Sequence, residues 1–372
     1  MRSPQMVMEE TDWGGLRHAY ADASDTPARL LQLLSEDPER CGDALGYLDA
    51  VLLHQGSLYS ATAPSAEFVA GILDDPRTLV RCESALPWDK RSRPLRAALL
   101  EWLGGVAESA GRGEPGGADT SAVDVGDYED EDEPRVFQEC RAIQKDVFAS
   151  VEVLLDDVDP SVRQSAIGAV THLLAAPELA QRRIQTAERL MNSAGEFSPA
   201  ERAAVALSVG SWGIRPLALL ADGHPAVRGC AALTRALDDV PAALEEVRAA
   251  LRDPRAADAW FVEERPPQLD GQTRFFLIQA LLRRTASFDE IADEAVAVAQ
   301  MTNAYTVDSD WGPLLERAFT ESQPEKLSAA QRRFLSALAD NDECWGAIAN
   351  PMIWFRTAGL PATRADLRAL LT

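Results

Sequence analysis

Lysine, aromatic residues, paired cysteines and long apolar runs are all scarce or missing in this sequence, and each shortage removes a class of protein. No run approaches the ~18 apolar residues that read as a membrane-crossing helix. The first stretch, MRSPQMVMEETDWGG, has no apolar core of the kind a secretory signal carries. A soluble, cytoplasmic protein is therefore expected. The five cysteines, Cys41, Cys82, Cys140, Cys230 and Cys344, stand singly and odd in number, which argues against a disulfide framework or a zinc knuckle. His18, His54, His172 and His224 show no ligand spacing, so no metal is expected. Aromatics are only 6% of the chain, and β-branched runs and strict alternation are rare, which disfavours a β architecture. Only Lys90, Lys145 and Lys326 among the 36 basic residues are lysine, and 59 acidic residues leave a net charge of −23. That charge opposes phosphate backbones and anionic lipid, so neither a nucleic acid nor a membrane is an expected partner. Frequent alanine and arginine in place of lysine fit a GC-rich bacterial gene, a compositional sign that sets no function.

What is present is helical punctuation. Leu154 to Leu174, LLDDVDPSVRQSAIGAVTHLL, reads as a helix end, a polar turn and a second helix with Asp159 as N-cap and Pro160 at its first position. Val162, Ala166, Ile167, Val170, Leu173 and Leu174 recur at three- and four-residue steps and share one face. The plan returns in LLADGHPAVRGCAALTRAL from Leu219 and in ILDDPRTLVRCESAL from Ile72. A recurring unit that cannot bury its own apolar stripe is the mark of a solenoid.

These residues, a turn, then Pro and Val-Arg, then Ala and Leu at helical spacing, resemble the HEAT repeat. The resemblance implies an all-α chain, a right-handed α-solenoid of stacked antiparallel helical hairpins whose repeats degenerate toward the C-terminus. Pro38, Pro76, Pro160, Pro199, Pro225 and Pro254 open the second helices. Their spacing suits a period of about forty residues at first, with two units between Pro76 and Pro160, and then shortens. The expected organisation is an N-terminal cap over residues 1–25, repeats over 26–110, a disordered acidic insert over 111–133, repeats over 134–269, and degenerate repeats with a cap over 270–372. Within it, helices are predicted over Pro76–Leu86, Ile214–Ala221 and Ser287–Met301. In the HEAT family the matched arginine braces an aspartate of a turn, which implies Arg81, Arg163 and Arg228 for Asp75, Asp157 and Asp222.

The candidate chemistry is thin. Gly111-Arg112-Gly113-Glu114-Pro115-Gly116 has the outline of a dinucleotide glycine pattern but follows a helix and leads into carboxylates, so no cofactor is expected. DVGDYEDEDE, from Asp124, lacks the spacing of a calcium loop. Its Asp127, Glu129, Asp130 and Glu131 are candidates for steering a basic partner by long-range attraction. His54, Gln55 and Tyr59, with Trp13, His18 and Tyr20, resemble the N-terminal part of a group of bacterial HEAT-repeat proteins of poorly defined role and are candidate partner-binding residues. The ordinary reading of the same turn is Gly56 as a helix C-cap with His54 near the helix dipole. Trp260 is the candidate from the tryptophan-rich second half. It is also the nearest thing to the aromatic lining that an enzyme like the HEAT-like DNA glycosylases would need, although the overall charge works against that chemistry.

The sequence thus points to a non-catalytic scaffold or adaptor that binds another, basic protein, with an immunity or regulatory protein that masks a basic partner as one form. The alternatives are a HEAT-like enzyme on nucleic acid and a structural subunit of a larger assembly.

Overall fold

The computed structural model describes residues 1–84, 91–112, 133–261, 264–320, 326–346 and 348–372. The expected all-α class holds. Among the described residues, strand structure is confined to β1 (Arg81–Cys82) paired antiparallel with β2 (Arg93–Pro94) and one bridge, Arg17 to Asp22. The chain divides into two compact units, Met1–Ile214 with Pro266–Gln268, and Arg215–Arg265 with Leu269–Thr372.

The first unit holds α1 (Pro4–Glu10), α2 (Thr26–Gln32), α3 (Pro38–Tyr47), α4 (Thr62–Gly71), α5 (Leu95–Arg112), α6 (Glu133–Ala142), α7 (Gln144–Glu152), α8 (Pro160–Leu173), α9 (Arg183–Ser193) and α10 (Pro199–Ser211). Local chemistry sets the starts. The Asp37 carboxylate accepts from Glu39 N, Asp159 from Ser161 N and Val162 N, and Ser198 with Glu201 closes a reciprocal capping box, each just before a proline whose missing N–H costs nothing there. The centre is α5 against α8, where Leu99, Leu103, Ile167 and Val170 are all at most 1% exposed. A Cβ on Gly104 would lie 3.1 Å from Ala169 Cα, so the close approach of these two helices requires glycine at that place.

The helix predicted over Pro76–Leu86 does not form. Pro76–Leu79 makes one 3-10 turn and the chain then becomes β1. The acceptors a helix would use are taken by other groups. Thr78 Oγ1 donates to Asp75 O at 2.7 Å, Arg96 Nη2 donates to the same carbonyl at 3.2 Å, and Leu95 N donates to Val80 O at 2.8 Å. Side chains and a cross-strand amide have won the competition with i to i−4 bonding. Arg81 reaches Ser92 O at 2.6 Å rather than Asp75. Arg163 and Arg228 do brace their turns, but through backbone carbonyls. Arg163 Nη1 donates to Asp157 O at 2.7 Å and Val158 O at 3.2 Å; Arg228 Nη1 donates to Asp222 O at 3.0 Å and Gly223 O at 3.3 Å. The carboxylate of Asp157 instead takes Arg96 Nη1 at 3.3 Å.

The second unit holds α11 (Leu217–Leu220), α12 (Pro225–Leu233), α13 (Pro241–Arg252), α14 (Pro254–Asp258), α15 (Thr273–Arg284), α16 (Ala292–Ala299), α17 (Trp311–Phe319), α18 (Ala329–Asp340), α19 (Asn350–Thr357) and α20 (Arg364–Leu371). The helix expected over Ile214–Ala221 shrinks to one turn because Pro216 cannot continue a helix begun before it. That expected over Ser287–Met301 starts late, at Ala292, after a 3-10 turn at Asp289–Ile291. Glu290 Oε1 still accepts from Ser287 N at 3.0 Å. Val247, Leu251, Leu277, Leu281, Val298 and Phe334 are fully buried and form the core, closed by an aromatic group in which Phe355 stacks on Trp345 at 5.1 Å and tilts against Trp311 at 5.5 Å.

Candidate functional site

The residues that the N-terminal resemblance singles out come together in the first unit. The loop from Leu16 to Ala23 folds on itself, with His18 N donating to Ala21 O at 3.0 Å and Ala23 N to Leu16 O at 2.9 Å. It is fastened between the end of α3 and the start of α4, where Ala19 N donates to Val51 O at 3.1 Å and Ala61 N to Arg17 O at 3.1 Å. Tyr20 sits at its tip.

His18 is buried and both its nitrogens are committed. Nδ1 accepts from Tyr20 N at 3.2 Å and Ala21 N at 3.3 Å, which places the ring proton on Nε2, and Nε2 donates to Asp25 Oδ1 at 3.2 Å. Tyr47 of α3 donates to the same oxygen at 3.0 Å and pairs with Thr26 Oγ1 at 2.7 Å. Burial, with Asp25 adding to it, pushes the Tyr47 phenol up to about 12. An imidazole used this way fixes a loop and has no free nitrogen for proton transfer.

His54 is different. Its Nδ1 lies 3.1 Å from Ala50 O and 3.3 Å from the Tyr20 hydroxyl, and Tyr20 meets the ring edge-on with centroids 5.5 Å apart. A carbonyl can only accept, so Nδ1 carries the proton and Nε2 keeps its lone pair. Tyr20 is 67% exposed. The pair therefore offers a phenol face and an imidazole acceptor, groups suited to the N–H donors and positive charge of an arginine or lysine.

Gln55 follows with φ 52° and ψ 30°, the one non-glycine residue of positive φ among the described residues, and Gly56 has φ 78°. The two left-handed residues end the helical stretch after α3. Tyr59 is half-buried, its phenol raised by burial with a smaller part from Tyr20, and its N–H donates to Thr62 Oγ1 at 2.9 Å. Trp13 is buried and belongs to the core. Sequence reasoning missed Asp25 and Tyr47. Asp25 reads as an N-cap of α2, yet its carboxylate makes no cap bond and serves His18 and Tyr47 instead.

The remaining candidates do not join this group. Asp127, Glu129, Asp130 and Glu131 lie outside the described residues. Trp260 is in the second unit, and its ring covers Gly229 of α12 so closely that a Cβ there would fall 2.5 Å from it. Trp260 thus packs on α12 and is half-buried.

Elsewhere the reactive groups are quiet. All five cysteines are free and buried, and burial pushes Cys82 up to about 11 and Cys140 and Cys344 up to about 12, far from a nucleophilic thiolate. Among the described residues no group of three or more His, Cys, Asp or Glu side chains could hold a metal ion, and no helix is long and apolar enough to cross a membrane. Compared with protein-family models, with curated proteins and with solved structures, the chain finds no match in any of the three.

Proposed function

We propose that this protein is a non-catalytic binding protein, an α-solenoid of HEAT-like hairpins whose partner is a basic protein. The observation that carries the reading is where the arginines go. Arg96, Arg163, Arg274 and Arg284 have side chains between 2% and 18% exposed, and each is spent on a carboxylate of its own chain. These pairings set positive against negative charge, so most of the excess of 59 acidic over 36 basic residues is left to the groups outside them. The common turn of Arg163 and Arg228 supports repeats of one kind. Tyr20 and His54 supply a place on the acidic surface for a cationic side chain, and masking a basic protein, as an immunity or regulatory protein does, is the form of function that fits.

The test is salt. Reconstituted from purified components, the complex should weaken by about tenfold or more between about 50 mM and about 500 mM salt. Tyr20→Ala should lower affinity with the melting temperature unchanged. An acidic partner, or an affinity flat in salt, overturns the reading.

A further inference from the structure

Pro266–Gln268 belongs to the first unit, where it lies on α8 and α10. Pro267 and Gln268 form a turn there. Pro267 meets Gly168, where a Cβ would fall 2.8 Å from the proline ring, so the groove admits the segment only because glycine forms its floor. Beyond it the Gln268 Nε2 donates to Thr171 Oγ1 at 2.9 Å, Ser208 Oγ at 3.0 Å and Ala204 O at 3.2 Å. Neither hydroxyl needs Gln268 for its own proton. The two hydroxyls lie 2.6 Å apart, so one donates to the other while its partner donates to a helix carbonyl, Ile167 O or Ala204 O, each at 2.8 Å. Both therefore turn lone pairs toward the glutamine.

Three acceptors thus converge on one nitrogen, and a primary amide has two protons to give there. At the other end of the same amide, Gln268 Oε1 is buried with no partner among the described residues, the arrangement that costs most in a buried polar group. Gln268 is one donor short and one acceptor over. A lysine ammonium, with three donors on one nitrogen and no acceptor, corrects both faults. A guanidinium, whose donors are spread over three nitrogens, does not.

We infer that the α8–α10 groove is a docking site for a proline-lysine turn of the basic partner, and that Pro266–Gln268 occupies it as a stand-in from the chain itself. This rests on the proposed reading of a basic partner and adds the groove, the side chain it takes and a built-in competitor. Three oxygens accept from the incoming ammonium, and its approach is favoured by a chain with 59 acidic residues against 36 basic ones. Occupancy by the chain's own segment lowers the apparent affinity by the fraction of time the groove is filled.

The experiment uses the full chain and three peptides, acetyl-Gly-Pro-Pro-Lys-Gly-amide and its norleucine and glutamine analogues. The double variant Pro267→Gly/Gln268→Gly should bind the lysine peptide about tenfold or more tighter than the norleucine peptide, and tighter than the unaltered chain does. Adding Thr171→Val should abolish the preference for lysine. No binding to the double variant, or equal binding of all three peptides, overturns the inference. Should that variant fail to fold, Gln268→Lys and Gln268→Met in the full chain decide: the lysine variant should melt at or above the unaltered chain, and a melting temperature at or below that of the methionine variant sinks the idea. A basic partner that binds equally with and without Thr171→Val removes the groove and leaves the proposed function standing. If no basic protein binds while the lysine peptide does, the proposed function fails and the groove's side-chain preference remains.

Discussion

Arg163 of α8 and Arg228 of α12 hold the same place in two like turns, one in each compact unit. Each guanidinium reaches back to two successive carbonyls of the turn that opens its own helix, and each turns Nε outward to a glutamate, Glu201 at 2.8 Å for Arg163 and Glu246 at 3.1 Å for Arg228. The turns agree in detail as well. Asp157 Oδ1 accepts from Asp159 N at 2.9 Å, and Asp222 Oδ1 from His224 N at 2.8 Å. The aspartate shapes its own turn, and the arginine ties that turn to another helix.

The two arginines differ in what their loss should cost. The Glu201 side chain is 2% exposed and Arg163 is 18% exposed, whereas Glu246 and Arg228 are each about a third exposed. Arg163→Met strands a buried carboxylate and should destabilise the chain by about 3 kcal/mol. Arg228→Met leaves Glu246 in contact with water and should cost about 1 kcal/mol. Urea unfolding of the two variants checks the order, and equal losses would mean that the carbonyl bonds, not the carboxylates, set the energy.

Gly229 and Trp260 give a second contrast. An alanine methyl at 229 would meet the indole ring at 2.5 Å, which a packed ring cannot accept without moving. Gly229→Ala should cost about 1–3 kcal/mol through overpacking and shift the emission of Trp260. Gly223, with nothing within 4 Å of its virtual Cβ, should take alanine with little change in melting.

These cases show what the sequence makes legible. Caps followed by proline at Asp37, Asp159 and Ser198 mark helix starts correctly because the signal is local. The Pro76 unit carries the same signal and fails, because Arg96, which is distant in sequence, takes the carbonyl that a helix would use. His18, Tyr20 and His54 stand out in the sequence as candidates, but their roles do not. One histidine is consumed by its loop and the other keeps a free nitrogen, a distinction set by which backbone groups each ring meets. The Gln268 groove left no trace in the pattern, since its walls are ordinary small residues at core positions and its occupant comes from far along the chain.

Gln55 carries backbone strain beside the exposed Tyr20–His54 pair. A glutamine at φ 52° gives up about 1 kcal/mol relative to a residue without Cβ, so Gln55→Gly should raise stability by a few tenths to about 1 kcal/mol. Gly56→Ala should lower it by about 1–2 kcal/mol, since φ there is 78° and the new methyl would also lie 3.3 Å from Arg112 Nη1. Thermal melts measure both. If Gln55→Gly is more stable yet binds the partner less well, the strained turn is serving recognition rather than folding.

Asp310 supplies the pH prediction. Its side chain is fully buried, with Oδ2 accepting from Arg274 Nε at 3.2 Å, Thr306 Oγ1 at 2.9 Å and Thr302 Oγ1, and Oδ1 from Trp311 N at 2.6 Å. Burial raises its carboxyl above the usual value of 3.8, the surrounding donors only partly opposing the rise. The folded chain then binds this proton more tightly than the unfolded chain does. The contribution of Asp310 to stability is therefore greatest below the ordinary carboxylate value, and it declines as pH rises through the raised one. Asp75 acts in the opposite sense. Arg77 holds its carboxyl down to about 2, so its contribution is lost only as pH falls from 3.8 toward that value, and its exposure keeps the effect small. In Asp310→Asn the titration is gone. The stability of the unaltered chain minus that of the variant should fall as pH rises above the ordinary carboxylate value of 3.8, and a difference that grows on that rise would show that the donors around Asp310 outweigh its burial.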